Sequence, residues 1–140
     1  MIKAKIGEVY DTRFDLFGKV NAETGEKMQD GLLDIKFRRP VALELTRIAK
    51  KLEGELKLFE QQREELIKEY GELNEKGEYE IKKTSLKFAH FVTEYSELSS
   101  HEVELQEVNK IKVDDMTDGK GQEIEIEPIL LLRLYWLLEI

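Results

Sequence analysis

Residues 56–83 read LKLFEQQREELIKEYGELNEKGEYEIKK. Leu56, Phe59, Leu66 and Tyr70 follow one another at steps of 3, 7 and 4, a helical stripe that stops at Gly71. Lys76-Gly77 then signals a turn, and Tyr79 and Ile81 alternate with charges as a short strand would. Followed backwards, the stripe continues through Leu52, Ile48 and Leu45 to Pro40. Proline suits a first helical position, where its missing N–H had no partner in any case. The step of 7 is a 4+3 step with Arg63 at its middle site, so the seam is heptad-like. Arg63 is either a register device or the point at which the seam passes into solvent. Gly54, inside the pattern, costs about 1 kcal/mol relative to alanine. At 1.5 Å per residue, residues 40–70 make a rod of about 45 Å. Such a rod needs a partner along its apolar seam.

The chain supplies one. Thr84 or Ser85 can cap a new helix, on which Phe88, Phe91, Tyr95 and Leu98 recur at 3, 4 and 3. This stripe predicts an antiparallel helical hairpin over residues 40–100. The second arm is shorter than the first, so part of the long helix needs other cover.

The flanking segments read as a small sheet. Ile2, Ala4 and Ile6 alternate with lysines as a brief strand, and Ile6, Tyr10, Phe14 and Phe17 then follow a helical spacing that ends at Gly18. NAETGEKMQDG (residues 21–31) carries turn signals, and LLDIKF (32–37) reads as a strand with Leu33, Ile35 and Phe37 on one side. EVELQEV (102–108) and EIEIE (123–127) alternate in the same way. The expected fold is α+β and mostly helical, a long hairpin projecting from a small antiparallel sheet. One domain spans residues 1–140: hairpin 40–100, sheet 32–37 and 102–127, and an apolar C-terminal helix 128–140.

That last segment, PILLLRLYWLLEI, is apolar on every side of a helix apart from Arg133 and Glu139. A helix of this kind is buried all round. It can be a core helix wedged between sheet and hairpin, or it can turn one face, Leu131, Tyr135 and Leu138, towards a second chain. Tyr135 and Trp136 are residue types that anchor interfaces. The expected interface residues are Leu131, Leu134, Tyr135, Trp136, Leu138 and Arg63.

Composition narrows the function. The 140 residues carry a net charge of −8, with 37% charged and 41% hydrophobic residues. Lysines are interleaved with glutamates and no basic stripe forms, which disfavours direct binding of nucleic acid. The absence of cysteine excludes disulfides, thiolate metal sites and cysteine nucleophiles. MIKAKIGEVY lacks the apolar core of a signal peptide, and ILLLRLYWLL is shorter than the roughly 20 residues that span a bilayer. A soluble protein that stays where it is made is expected, with no membrane partner.

No chemical motif stands out. His90, Glu94, Glu97 and His101 are spaced 4, 3 and 4, a line of possible metal ligands on one continuous helix. The line points away from the Phe88/Phe91/Tyr95 stripe, and Ser99-Ser100 is expected to end the helix before His101, so it reads as a solvated side. DDMTDGKGQEIE (114–125) has a calcium-loop texture, with Asp114, Asp118, Gly119 and Glu125 at positions 1, 5, 6 and 12. Met116 at position 3 offers no oxygen, and a turn between strands explains the aspartates and glycines. Serine or threonine catalysis would need a base and an orienter that the two histidines do not supply. No enzyme activity, metal or cofactor is expected.

KKLEGELKLFEQQREELIKEYGELNEKGEYEIKK, EVELQEV and IEIEPILLLRL, taken in this order, resemble a group of small uncharacterised proteins of tailed bacteriophages and prophages, over roughly residues 32–138. This chain departs from that group in its longer NAETGEKMQDG and DDMTDGKGQ loops. The family brings no catalytic residues. What the resemblance implies is a viral context: a virion accessory component or assembly factor, in the host cytoplasm or the virion. Such a protein would self-associate or dock other phage proteins through the C-terminal helix and the hairpin. An acidic inhibitor of a host defence or nucleic-acid-processing protein is the competing expectation, resting on the −8 charge.

Overall fold

The computed structural model describes residues 1–140. Strand β1 (Ile2–Lys5) runs into helix α1 (Ile6–Asp11) and, after a break at Thr12, helix α2 (Arg13–Phe17). A ribbon of β2 (Lys19–Val20) and β3 (Lys27–Gln29) leads through a 3-10 turn at Leu32–Asp34 to helix α3 (Arg39–Tyr70). A second ribbon, β4 (Glu72–Leu73) and β5 (Tyr79–Glu80), precedes helix α4 (Phe88–Ser99). The chain closes with β6 (Glu102–Leu105), β7 (Ile111–Lys112), helix α5 (Pro128–Arg133) and β8 (Leu138–Glu139). The fold is α+β and mostly helical, and the antiparallel α3–α4 hairpin is its largest feature.

Strand pairing is confined to two-stranded pieces. β1 pairs antiparallel with β6, setting Ile2 opposite Leu105 and Ala4 opposite Val103, and all four are buried. The alternate positions put Lys3 opposite Glu104 and Lys5 opposite Glu102 on the wet face. Here the period-2 pattern and the pairing agree.

The short strand expected at Tyr79 is present as β5, whereas the strands expected at LLDIKF and EIEIE are corrected. LLDIKF forms the 3-10 turn, and Leu32 and Phe37 are its buried residues rather than Leu33 and Ile35. The cause is local. The Asp34 carboxylate accepts the Gly31 N–H at 2.8 Å and lies 2.7 Å from Lys27 Nζ, so the chain turns where it was expected to extend. Gly31 packs against the Leu16 carbonyl, and an added Cβ would lie 2.4 Å from that oxygen. In EIEIE the alternation holds, with Ile124 and Ile126 half-buried against the core, but no strand lies beside it. Only an isolated Thr117–Glu123 bridge forms.

The C-terminal helix is also shorter than expected. α5 ends at Arg133, the chain turns over Leu134–Leu137, and β8 pairs in parallel with β7, Leu138 opposite Ile111. Trp136, Leu137 and Leu138 are all buried. Three successive residues fan across roughly 200° of a helix, so one helical face cannot bury them together. Breaking the helix lets all three enter the core.

The core occupies one end of the molecule. Its α3 residues are Val41, Leu45, Ile48, Leu52 and Phe59, packed with β1, β6, α1 and the C-terminal turn. This head contains every buried residue, and none of residues 60–102 is buried. The α3–α4 hairpin beyond Phe59 is an arm standing away from that core.

Candidate interaction surface

The arm is assembled from the two predicted stripes. Arg63, Leu66, Ile67 and Tyr70 of α3 and Phe88, Phe91, Tyr95 and Leu98 of α4 are its half-buried residues. Two helices make a single seam, so each keeps an open flank, and Val92 is 43% exposed on it. Aromatic rings tie the seam to the head. Tyr10 of α1 meets Phe59 at 4.9 Å between centroids, Phe59 meets Tyr95 at 6.2 Å, and Tyr95 stacks on Phe91 at 5.7 Å. Arg63 sits 5.7 Å over the Tyr10 ring. Its partner is therefore an aromatic face of its own chain, which accounts for a charged residue in the seam.

The far end of the arm is held open in a defined shape. Gly71 stops α3 where an added Cβ would lie 2.4 Å from the Ile67 carbonyl oxygen, a close approach that only glycine allows. Asn74 Oδ1 accepts the N–H groups of Lys76 and Glu78 at 2.9 and 3.0 Å, and Gly77 takes the left-handed conformation. Leu73 and Tyr79 stand opposite each other on one face of the ribbon, 61% and 42% exposed. Leu86, in the turn before α4, is 95% exposed. Ser85 Oγ accepts the Lys87 N–H at 3.2 Å within the turn before α4, but the N-cap position is Lys87 and the expected Thr84 or Ser85 cap is not formed. The Glu94 carboxylate of α4 beside the Tyr70 phenol of α3 raises that phenol's pKa above its ordinary value.

The C-terminal interface residues are divided. Leu134, Trp136 and Leu138 are core residues, between 0% and 4% exposed, and cannot meet a second chain. Leu131 is half-buried against the core. Tyr135 is exposed, and its hydroxyl donates to Glu8 Oε1 at 2.6 Å, which raises the phenol's pKa. With Ile129 and Leu132 it leaves a small apolar outer face that the expected set of residues only partly named.

The polar candidates stay apart. His90 is exposed on α4, whereas His101 lies beyond its end, in an open groove of about 290 Å³ floored by Ile6, Phe59, Leu98 and Val103. No group of three or more histidine or acidic side chains is arranged to hold a metal ion. Asp118 spends its carboxylate on the turn, accepting the Lys120 and Gln122 amides at 2.8 and 2.9 Å. No helix is long and apolar enough to cross a membrane.

The seam residues were legible as a helical stripe. Leu73 and Leu86 at the tip were not singled out, and Tyr79 was read only as a strand position. The available signal was an apolar residue on each side of a turn, in a segment otherwise filled with charges.

No family model, curated protein or solved structure matches the chain. Geometry and charge are therefore what bear on its function.

Proposed function

We propose that the chain is a non-enzymatic assembly protein of the tailed-phage type, which associates with copies of itself through its helical arm. The observation that carries this reading is the contrast along α3. Its first half is sealed into the head, yet none of residues 60–102 is fully buried, although they carry Leu66, Ile67, Tyr70, Phe88, Phe91 and Tyr95. A two-helix arm gains little stability from one half-covered seam, and a second arm beside it would bury the open flanks. Burial of those side chains would supply affinity at about 25 cal/mol per Å² before the losses of association. The outer face at Ile129, Leu132 and Tyr135 is a second, smaller surface for another component.

The competing reading, an acidic inhibitor of a host protein, draws on Glu72, Glu75, Glu78 and Glu80, which crowd one short ribbon.

Light-scattering mass of the full chain between about 1 and 100 μM tests the proposal, since that range spans the affinities of ordinary reversible dimers. An integral multiple of the chain mass is expected. A single-chain mass throughout overturns it.

A further inference from the structure

We propose that the tip of the arm is a self-complementary docking surface that pairs with the tip of a second copy about a two-fold axis. This rests on the self-association proposed above and adds the surface and its symmetry.

The tip carries charge of both signs, side by side. Residues 72–80 hold four glutamates and one lysine, and residues 81–87 hold three lysines and no acid, so the two neighbouring segments carry −3 and +3. None of these side chains forms an ion pair within the chain, because the five ion pairs present all lie outside residues 48–103. The exposed apolar residues of the tip are Leu73 and Tyr79, opposite each other in the acidic segment, and Leu86 in the basic one.

A two-fold axis brings the same patch of both partners together, so the patch must be complementary to itself. One charged segment rotated onto the other satisfies that condition. Glutamates of one copy meet Lys82, Lys83 and Lys87 of the other, twice over, around a shared centre of leucine and tyrosine. A basic partner protein fits worse, because it would set its cations against those three lysines. A nucleic acid meets the converse obstacle in the glutamates. The surface is also preformed, because Gly71, Asn74 and Gly77 fix the turn before any partner arrives.

The test uses three full-length chains: the wild type, Glu75→Lys plus Glu78→Lys, and Lys83→Glu plus Lys87→Glu. All four substituted residues are exposed, so far-UV circular dichroism is expected to match the wild type. The first variant has a net-basic tip, +1 on residues 72–80 and +3 on 81–87, and the second a net-acidic one, −3 and −1. Each alone is expected to be monomeric by light scattering at a concentration where the wild type is dimeric. Their equimolar mixture is expected to recover the dimer mass as a mixed pair. Leu86→Ser in the wild-type background is expected to weaken the dimer by about tenfold or more, the scale of losing one buried leucine. If the wild type is oligomeric and both charge variants remain so, the tip is not the interface, while self-association stands. If the variants are monomeric and their mixture does not pair, the charge complementarity is wrong. A wild type that is monomeric alone but captured by a basic protein would favour the inhibitor reading and overturn both proposals.

Discussion

The indole N–H of Trp136 donates to the hydroxyl of Thr12 at 3.0 Å, a buried hydrogen bond between residues 124 positions apart. The same hydroxyl donates to the Glu8 carbonyl at 2.8 Å, so one side chain holds the break between α1 and α2 and fastens the C-terminal turn beneath it. Thr12→Val keeps the shape but strands the Trp136 indole N–H, while the Glu8 carbonyl keeps the Thr12 backbone N–H at 3.2 Å. It is expected to lower stability by about 1–3 kcal/mol, the cost of leaving a buried polar group unpaired. Trp136 is the only tryptophan, so urea unfolding followed by its fluorescence reads this directly. An unchanged midpoint would show that the bond is not made.

Leu132 and Leu134 are two residues apart and have opposite surroundings: 73% exposed and 0% exposed. Leu134→Ala is expected to cost about 2–5 kcal/mol, as for other buried leucines replaced by alanine. Leu132→Ala is expected to stay within about 0.5 kcal/mol. Equal effects in the same unfolding assay would contradict the burial of Leu134 beside an exposed Leu132.

Gly71→Ala places a methyl group 2.4 Å from the Ile67 carbonyl oxygen and 3.2 Å from that of Glu80. The strain falls on the tip, which the head does not contact through any buried residue. Amide hydrogen exchange is expected to quicken across residues 68–82 while the Trp136 unfolding midpoint moves little. A global loss of stability would show that arm and head unfold as one unit.

Asp34 is held below the ordinary carboxylate pKa of 3.8 by its hydrogen bonds to Lys27 and to the Gly31 N–H. A depressed folded-state pKa stabilises the protein above the unfolded value, and the contribution is lost as pH falls below about 3.8 towards the folded value. Asp34→Asn is expected to flatten that part of the acid unfolding profile. A profile that keeps its slope would assign the acid sensitivity to other carboxylates.

The helical hairpin could be read from the chain because its signal is local. Leu45, Ile48, Leu52 and Phe59 repeat at helical steps, Gly71 ends the run, and Phe88, Phe91 and Tyr95 answer it. The N-terminal strand and EVEL were legible for the same reason, although their pairing with each other was not, since alternation says nothing about which strand lies alongside. LLDIKF misled because a local side-chain contact overrode its pattern, and PILLLRLYWLLEI because a partner distant in sequence did. Asp34 found Gly31 and Lys27, and Trp136 found Thr12 across the whole chain. At the tip, single apolar residues between charges carry no periodicity, so only their exposure in the fold draws attention to them.

The parallel pairing of β8 with β7 has a consequence for the order of events during synthesis. The arm joins neighbours in sequence and can zip as soon as residue 99 has left the ribosome. The head cannot seal until Leu134, Trp136, Leu137 and Leu138 arrive, because they fill the space beneath Thr12 and beside Ile111. The middle of the chain thus matures before its two ends meet. Refolding should show helical circular dichroism recovering ahead of Trp136 fluorescence, and simultaneous recovery would contradict this order.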